Sequence, residues 1–451
     1  MRATIEFFLN GERVSVPAAE GARTVLPWLR EARRLTGTKE GCAEGDCGAC
    51  TAVVSEPRPG GTVHLPVNTC VLFLGALDGR ALTTVEALKG AHPVQRAMVD
   101  CHGSQCGFCT PGFVMSLYAH YRSGGSAERP ALCDALAGNL CRCTGYAPIL
   151  AAGETMSRYP APAETDPPFE QLPQTSLASR QFSAPRTLDE LLAALDEGAT
   201  LLGGGTDLAL AVTKAHRDLD RLVYLGNVKE LKAISDQPNA LEIGGAVTYA
   251  EAQGALARLH PDIGELVRRF GGAQVRACAT LAGNIANASP IGDGMPVLLA
   301  LDAMLVLQKG AETRHARLAR FYTGYRKTLL QPGELIRAIR VPKLAPGARF
   351  AAYKLSKRFD QDISAVCAAF HVHGGKARFG FGGMAATPAR ARQAEAAYAK
   401  GVEAACTALA SDFSPVSDPR ASAWYRIRAA QSLLRKFHAG ASPRALLELA
   451  P

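Results

Sequence analysis

The chain has 451 residues, of which 47% are hydrophobic and 20% charged, with a formal net charge of +9. That composition is globular and excludes a disordered chain, and the length predicts about three domains at roughly 100–200 residues each. Aromatics are only 6%, and there is no basic stripe; no apolar run reaches the ~18–20 residues of a spanning helix, and acidic residues come too early for a signal peptide. A cytoplasmic protein with no nucleic-acid partner and no membrane segment is therefore expected.

The charge is uneven. Residues 1–150 hold 14 Lys and Arg against 13 Asp and Glu, a net +1, which leaves +8 for the rest. Cysteine is uneven too: ten of the 13 precede residue 151. Cytosolic thiols stay reduced, so such a cluster reads first as metal ligands.

In chain order, TIEFFLNGERVSVP (4–17) predicts two strands turned by Asn10-Gly11. Residues 24–35 predict an amphipathic helix with Thr24 as N-cap. A Gly/Cys loop covers 37–50, and short strands follow as far as LTTVEAL. Residues 92–152 predict four short helices. His92-Pro93, Thr110-Pro111 (with Thr110 as N-cap) and Pro130 open the first three, and 146–152 form the fourth. Residues 153–178 are proline-rich and predict a linker. From about 180, apolar strands alternate with helical segments, and 343–350 mark a further break. The last stretch opens with the strand ARFGFGGM and ends in helices.

Cys42, Cys47 and Cys50 sit in GCAEGDCGAC, with Cys70 following. C-x4-C-x2-C…C is the spacing of plant-type [2Fe–2S] sites. Gly41, Gly45 and Gly48 allow the loop to wrap a cluster, with backbone N–H groups turned to sulfur. Zinc is the alternative, although structural zinc prefers two short Cys pairs. Cys106 and Cys109 form C-x2-C, and Cys141 and Cys143 form C-x-C. In an up-down-up-down bundle both connections fall at one end, so these four thiols can meet there. Spacing alone leaves zinc open here; the neighbouring ferredoxin-like loop favours a second cluster. Cys101, Cys133, Cys278, Cys367 and Cys406 have no partner pattern and read as buried core thiols.

GCAEGDCGAC, GSQCGFCTPGF and GNLCRCTGY together resemble the iron–sulfur module of the molybdenum hydroxylases, the family of xanthine dehydrogenase, aldehyde oxidase and carbon monoxide dehydrogenase. The resemblance implies a ferredoxin-like β-grasp domain over 1–90 and a four-helix-bundle [2Fe–2S] domain over 91–152. It also implies that Gln105 and Cys143 face the pterin of a molybdenum cofactor.

After the linker (153–178), LLGGGTDL (201–208) can cradle phosphate with backbone N–H groups, and taken alone it also fits an ordinary turn. The small-residue stretch ATLAGNIANASPIGDGMPV (279–297) leaves room for a flat ligand. Both resemble the family's flavin domain, which implies an α+β FAD-binding domain over 179–345 and a C-terminal α+β subdomain over 346–451. By that resemblance Leu202, Gly203, Gly204, Gly205, Thr206, Asp207 and Leu208 would hold pyrophosphate. Thr280, Leu281, Ala282, Gly283, Asn284, Asn287 and Asp293 would hold flavin and adenosine. Phe270 would stack beside the isoalloxazine, its other reading being a core Phe, and Ile336 and Lys354 would add contacts. KLSKRFDQDISAV (354–366) resembles the loop beside the flavin, where Asp360 and Asp362 would influence NAD+ access; the other reading is a solvated turn.

Within that family, the resemblance is to the small subunits of bacterial xanthine dehydrogenases. The implied role is electron transfer from a molybdenum cofactor on a large subunit, through two [2Fe–2S] clusters and FAD, to NAD+, in a heterotetramer of two small and two large chains. No catalytic residue for the substrate is expected in this chain. An aldehyde or N-heterocycle hydroxylase is the alternative, and an iron–sulfur carrier without flavin is the non-enzymatic one.

Overall fold

The structure is a computed structural model, and it describes residues 2–196 and 198–441. The chain divides into two compact units, Met1–Lys229 with Gly271–Ala279, and Glu230–Phe270 with Thr280–Pro451.

In the first unit, β1 (Thr4–Leu9) and β2 (Glu12–Pro17) form the expected hairpin. Asn10 and Gly11 both take positive φ, as the tight turn requires. The expected helix is shorter than its apolar pattern. It runs as α1 (Val25–Pro27) and one wide turn to Ala32, and Thr24 makes no side-chain cap. Then come β3 (Thr51–Arg58), β4 (Gly61–Asn68) and β5 (Ala81–Thr83). The sheet order is β2-β1-β5-β3-β4, with β5 parallel to β1. Ile5, Phe7, Leu26, Phe73, Leu74 and Leu82 fill its core.

The four helices are α2 (Pro93–Asp100), α3 (Thr110–Arg122), α4 (Arg129–Leu136) and α5 (Ala147–Thr155). His92 caps α2 through its side chain, which accepts from Val94 N at 3.2 Å. Thr110 is the first residue of α3 rather than its cap, and its hydroxyl pairs with Ser104 Oγ at 2.7 Å. Leu132 and Leu136 turn α4 inward, which leaves Cys133 exposed rather than buried as expected. Cys101 and Cys278 are half-buried, whereas Cys367 and Cys406 are core thiols.

A second small sheet completes this unit: β6 (Leu177–Ala178), β7 (Phe182–Ala184), β8 (Thr200–Leu202) and β9 (Leu222–Tyr224), with α6 (Leu188–Ala194) and α7 (Ala209–Thr213) between. It shares the core of the first sheet. The Phe182 ring lies where a Cβ on Gly75 would be 2.0 Å from it, so only glycine fits there.

In the second unit, β10 (Ile234–Asp236) and β11 (Ala240–Gly244) precede α8 (Tyr249–Leu259) and α9 (Pro261–Arg268). The chain then contributes α10 (Ala273–Cys278) to the first unit and returns as α11 (Leu281–Ala286) and α12 (Gly294–Ala300). β12 (Met304–Lys309), β13 (Glu312–Arg317), the hairpin β14 (Tyr322–Gly324) and β15 (Lys327–Thr328), and β16 (Leu335–Pro342) follow. The order β10-β11-β16-β12-β13 is antiparallel throughout. β17 (Arg349–Leu355), β18 (Val366–His373), β19 (Lys376–Gly382) and β20 (Ala389–Arg390) form a meander. It packs with α13 (Arg392–Ala397), α14 (Val402–Asp412) and α15 (Ala423–His438) around Phe370, which stacks on Phe437 at 5.2 Å. No helix among the described residues is long and apolar enough to cross a membrane.

Candidate functional site

Cys42, Cys47 and Cys50 lie on the loop before β3, and Cys70 lies just after β4. The four thiols meet in two pairs. Cys50 and Cys70 have their sulfurs 3.3 Å apart, and Cys42 contacts Cys47. The N–H groups of Asp46 and Cys47 donate to Cys42 Sγ, each at 3.3 Å. The Cys47 thiol, with these N–H groups, outweighs burial and holds the Cys42 pKa down at about 5. Asn68 shapes the loop from beneath: its Nδ2 donates to Gly45 O at 2.8 Å, and its Oδ1 lies 3.6 Å from Cys50 Sγ. Gly45 and Gly48 take φ of +79° and +69°, the left-handed turns that bring the loop round.

The second set pairs in the same way, Cys106 with Cys143 and Cys109 with Cys141. Burial and the Cys141 thiol push the Cys109 pKa up to about 12, and Thr144 Oγ1 lies 3.2 Å from Cys141 Sγ. Both sets fit a two-iron cluster, which takes two thiolates per iron and N–H donors towards sulfur. A single ion needs its donors gathered about one point, and no group of three or more Cys, His, Asp or Glu among the described residues is so arranged.

The two sets differ in exposure and are joined. Cys50 and Cys70 are buried, whereas Cys106 and Cys143 are exposed beside Gln105, Phe108 and Tyr146. Leu140, next to Cys141, donates its N–H to Cys47 O at 3.0 Å. Asn139 Nδ2 donates to Gly48 O at 3.1 Å. A Cβ on Gly112 would lie 2.2 Å from Gly48 O, so the start of α3 also rests on the first loop. Beyond Cys70, Val71 O and the Phe73 ring press against Gly205, at 3.3 and 3.0 Å from where its Cβ would be. The order through the first unit is thus exposed thiols, buried thiols, glycine loop.

That loop, Leu202 to Leu208, links β8 to α7. Gly205 has φ +75°, and a Cβ on Gly204 would sit 1.9 Å from Cys278 O. Close packing against Cys278 O and the Phe73 ring therefore requires glycine at both positions, and the pyrophosphate role expected of the loop rests with its backbone N–H groups. Lys214, just past α7, bonds Cys42 O and lies 3.6 Å from Glu44.

The remaining expected flavin residues belong to the second unit. Thr280 caps α11 by accepting from Gly283 N at 3.0 Å, and Asn287 ends it. Asn284 Oδ1 accepts from the buried Tyr249 hydroxyl at 2.8 Å, and Tyr249 stacks on Phe270 with centroids 4.1 Å apart. Leu281 and Ala282 are buried on α11, and Ile336 is buried in β16. Asp293 is buried between two partners, the Lys354 ammonium and Ser364 Oγ at 2.5 Å. The pair joins β17 to the start of α12 among buried neighbours. Asp360 lies 3.3 Å from Arg268, while Arg269 covers the Phe359 ring at 4.3 Å and donates to Phe359 O at 2.9 Å. Asp362 accepts from the N–H groups of Arg358 (2.8 Å) and Ile363 (3.0 Å). Partial burial opposes its ionisation, but these donors and the Arg358 charge win and lower its pKa.

Sequence reasoning missed Asn68, Asn139, Tyr249, Ser364, Arg268 and Arg269. Only Asn139 carried a signal, its place two residues before the C-x-C pair.

Four family models match in chain order. They are a 2Fe-2S iron-sulfur cluster binding domain over 7–73, a [2Fe-2S] binding domain over 84–154, an FAD binding domain in molybdopterin dehydrogenase over 178–344, and a CO dehydrogenase flavoprotein C-terminal domain over 351–441. Xanthine dehydrogenase of Emericella nidulans is 34% identical over 87% of this chain and 35% of its own length. Xanthine dehydrogenase of Drosophila pseudoobscura pseudoobscura is 35% identical over 81% of this chain and 33% of its own length. The chain thus spans about a third of the length of these curated relatives. Among solved structures, a chain of the reconstituted CO dehydrogenase from Oligotropha carboxidovorans matches with TM-score 0.54 and 28% identity, over 59% of this chain and 99% of that one. A chain of quinoline 2-oxidoreductase from Pseudomonas putida 86 shares the fold, with TM-score 0.52 at 24% identity, over 58% of this chain and 97% of that one.

Proposed function

This chain belongs, by its two iron–sulfur domains and its flavin domain, to the molybdenum hydroxylases, and on that premise we propose that it is the electron-transfer subunit of a xanthine dehydrogenase. In this reading it carries electrons from a molybdenum cofactor on a separate large subunit, by way of two [2Fe–2S] clusters and FAD, to NAD+. It thereby supports oxidation of hypoxanthine and xanthine to urate. The observation that carries the reading is the order within the first unit: exposed thiols, a main-chain link from Leu140 to Cys47, buried thiols, and a glycine loop resting on Phe73.

When bound, the clusters carry single electrons and FAD converts between one- and two-electron chemistry. The eight cysteines would hold the iron as four pairs, and the N–H groups of Asp46 and Cys47 would stabilise charge on Cys42 Sγ. The loop 202–208 offers backbone to pyrophosphate, and Phe270 offers a ring backed by Tyr249. Lys354 and Asp293 hold a fixed charge and a fixed acceptor among buried neighbours. Asp360 and Asp362 set the charge of the loop that NAD+ would approach. Phe108 and Tyr146 are exposed in the segments that carry Gln105 and Cys143, which suits docking of the large subunit there. Reduced, metal-binding thiols suit the cytoplasm.

The test is the complex co-purified with its large subunit. Xanthine and NAD+ should give urate and NADH, and the particle mass should fit two small and two large chains. No urate, with turnover of aldehydes or N-heterocycles, would replace the substrate assignment by the alternative that the CO dehydrogenase likeness keeps in view. Iron without extractable FAD would reduce the chain to an iron–sulfur carrier.

A further inference from the structure

The nine residues 271–279 belong to the first unit, although the chain on either side of them belongs to the second. Their buried polar centre is Gln274, 1% exposed, and nothing in the cofactor reading uses it. Its Nε2 lies 3.1 Å from Thr51 Oγ1, 3.1 Å from Ser116 Oγ and 3.0 Å from Asn139 Oδ1. Each partner sits on a different cluster-bearing element. Thr51 follows Cys50, Ser116 is on α3 after Cys109, and Asn139 lies two residues before Cys141.

Asn139 is the hinge of this arrangement. Its Oδ1 accepts from Gln274 Nε2 and from Ser116 Oγ at 2.6 Å, which turns its Nδ2 onto Gly48 O at 3.1 Å. The fit leaves no slack. A Cβ on Gly138 would lie 1.8 Å from Gln274 Oε1, and one on Gly272 would lie 2.4 Å from Gly138 Cα. Gln274 Oε1 is buried without a hydrogen-bond partner, and the flipped amide would set that oxygen against three others, Thr51 Oγ1, Ser116 Oγ and Asn139 Oδ1, so the orientation with Nε2 on them is the one held.

We propose that Gln274 is a positioning residue that fixes the spacing between the two cysteine sets, by orienting Asn139 so that segment 139–140 stays bonded to Cys47 and Gly48. Through it, a segment that leads directly into the expected flavin residues Phe270 and Thr280 also sets the geometry of the iron–sulfur relay. The inference rests on the two-cluster reading given above.

The test uses the full-length chain, reduced with dithionite, and reads iron content, both paramagnetic signals and the distance distribution between them by pulsed dipolar EPR. Gln274→Met keeps the side-chain length and removes the donor; Ser116→Ala removes one arm only. The unsubstituted chain should give one narrow distance. Q274M should keep its iron and both signals but shift or broaden that distance, and S116A should do so to a smaller extent. An unchanged distribution in Q274M overturns this inference and leaves the two-cluster reading standing. If Q274M loses iron, S116A decides: a shifted distance at full iron upholds the inference, and an unchanged one overturns it. Fewer than two signals from the unsubstituted chain would remove the two-cluster reading and this inference with it.

Discussion

Asn68 shows how much one amide can hold. It is buried, ties Gly45 O and lies against Cys50 Sγ, so Asn68→Ala leaves a buried carbonyl unpaired. The expected cost is about 1–3 kcal/mol, read in a denaturant melt, with loss of the first cluster's signal before the second's. Lys354 and Asp293 are a second such case. Lys354→Ala strands a buried carboxylate on the Ser364 hydroxyl, an expected loss of about 3–5 kcal/mol together with the flavin. Removing both charges, K354M with D293N, should restore most of the stability but not the flavin. Recovery of bound FAD in that double variant would show that the pair serves folding alone.

Among the elements, the contact between α3 and the first cysteine loop is made backbone to backbone. Gly112→Ala forces a Cβ against Gly48 O, an overpacking cost of about 1–3 kcal/mol. Because the loop lies between the two sets, both signals should weaken together in that variant. The linker is the other element with a measurable role. Glu164 binds His92 (3.4 Å) and Arg122 (3.2 Å), and Asp166 binds Arg122 at 2.9 Å and approaches the buried His64 at 3.7 Å. Burial, with Arg122, lowers the His64 pKa below 6.5. The folded chain therefore resists a proton that the unfolded chain accepts, and stability falls as pH drops below about 6.5. Glu164 is held below its ordinary value, so its own contribution is lost only at lower pH, as its carboxylate protonates. Denaturant midpoints between about pH 7.5 and about pH 5.5 should fall less in His64→Leu than in the unsubstituted chain. An equal fall in both would place the acid sensitivity elsewhere.

At the scale of the whole molecule, the chain is built to hold cofactors and supplies no residue for substrate chemistry in the proposed reading. Purified alone under anaerobic conditions, it should contain about four irons and one extractable flavin, and it should not oxidise purines. Purine oxidation by this chain alone would contradict the division of labour proposed with the large subunit. The two units are interleaved in sequence: residues 271–279 count with the first although both neighbours count with the second. Deleting or scrambling that segment should therefore disturb the iron signals as well as flavin binding, a result that a chain of independent domains would not give.

Sequence alone was enough to group the cysteines four and four and to place the hairpin at Asn10-Gly11, the four helices and the glycine loop. Each of these is written in short-range spacing, and spacing survives without coordinates. It overstated the first helix, because apolar periodicity continues where the hydrogen-bonding pattern of the α-helix does not. It also buried Cys133, because an unpaired cysteine has no periodic marker of its own. Only the tertiary structure decided which thiols pair, that Leu140 bonds Cys47, and that Gln274 reaches across 135 positions to Asn139 and 223 to Thr51. Buried hydrogen bonds of that kind depend on three-dimensional convergence of residues far apart in the chain, and no local pattern of residue types encodes them.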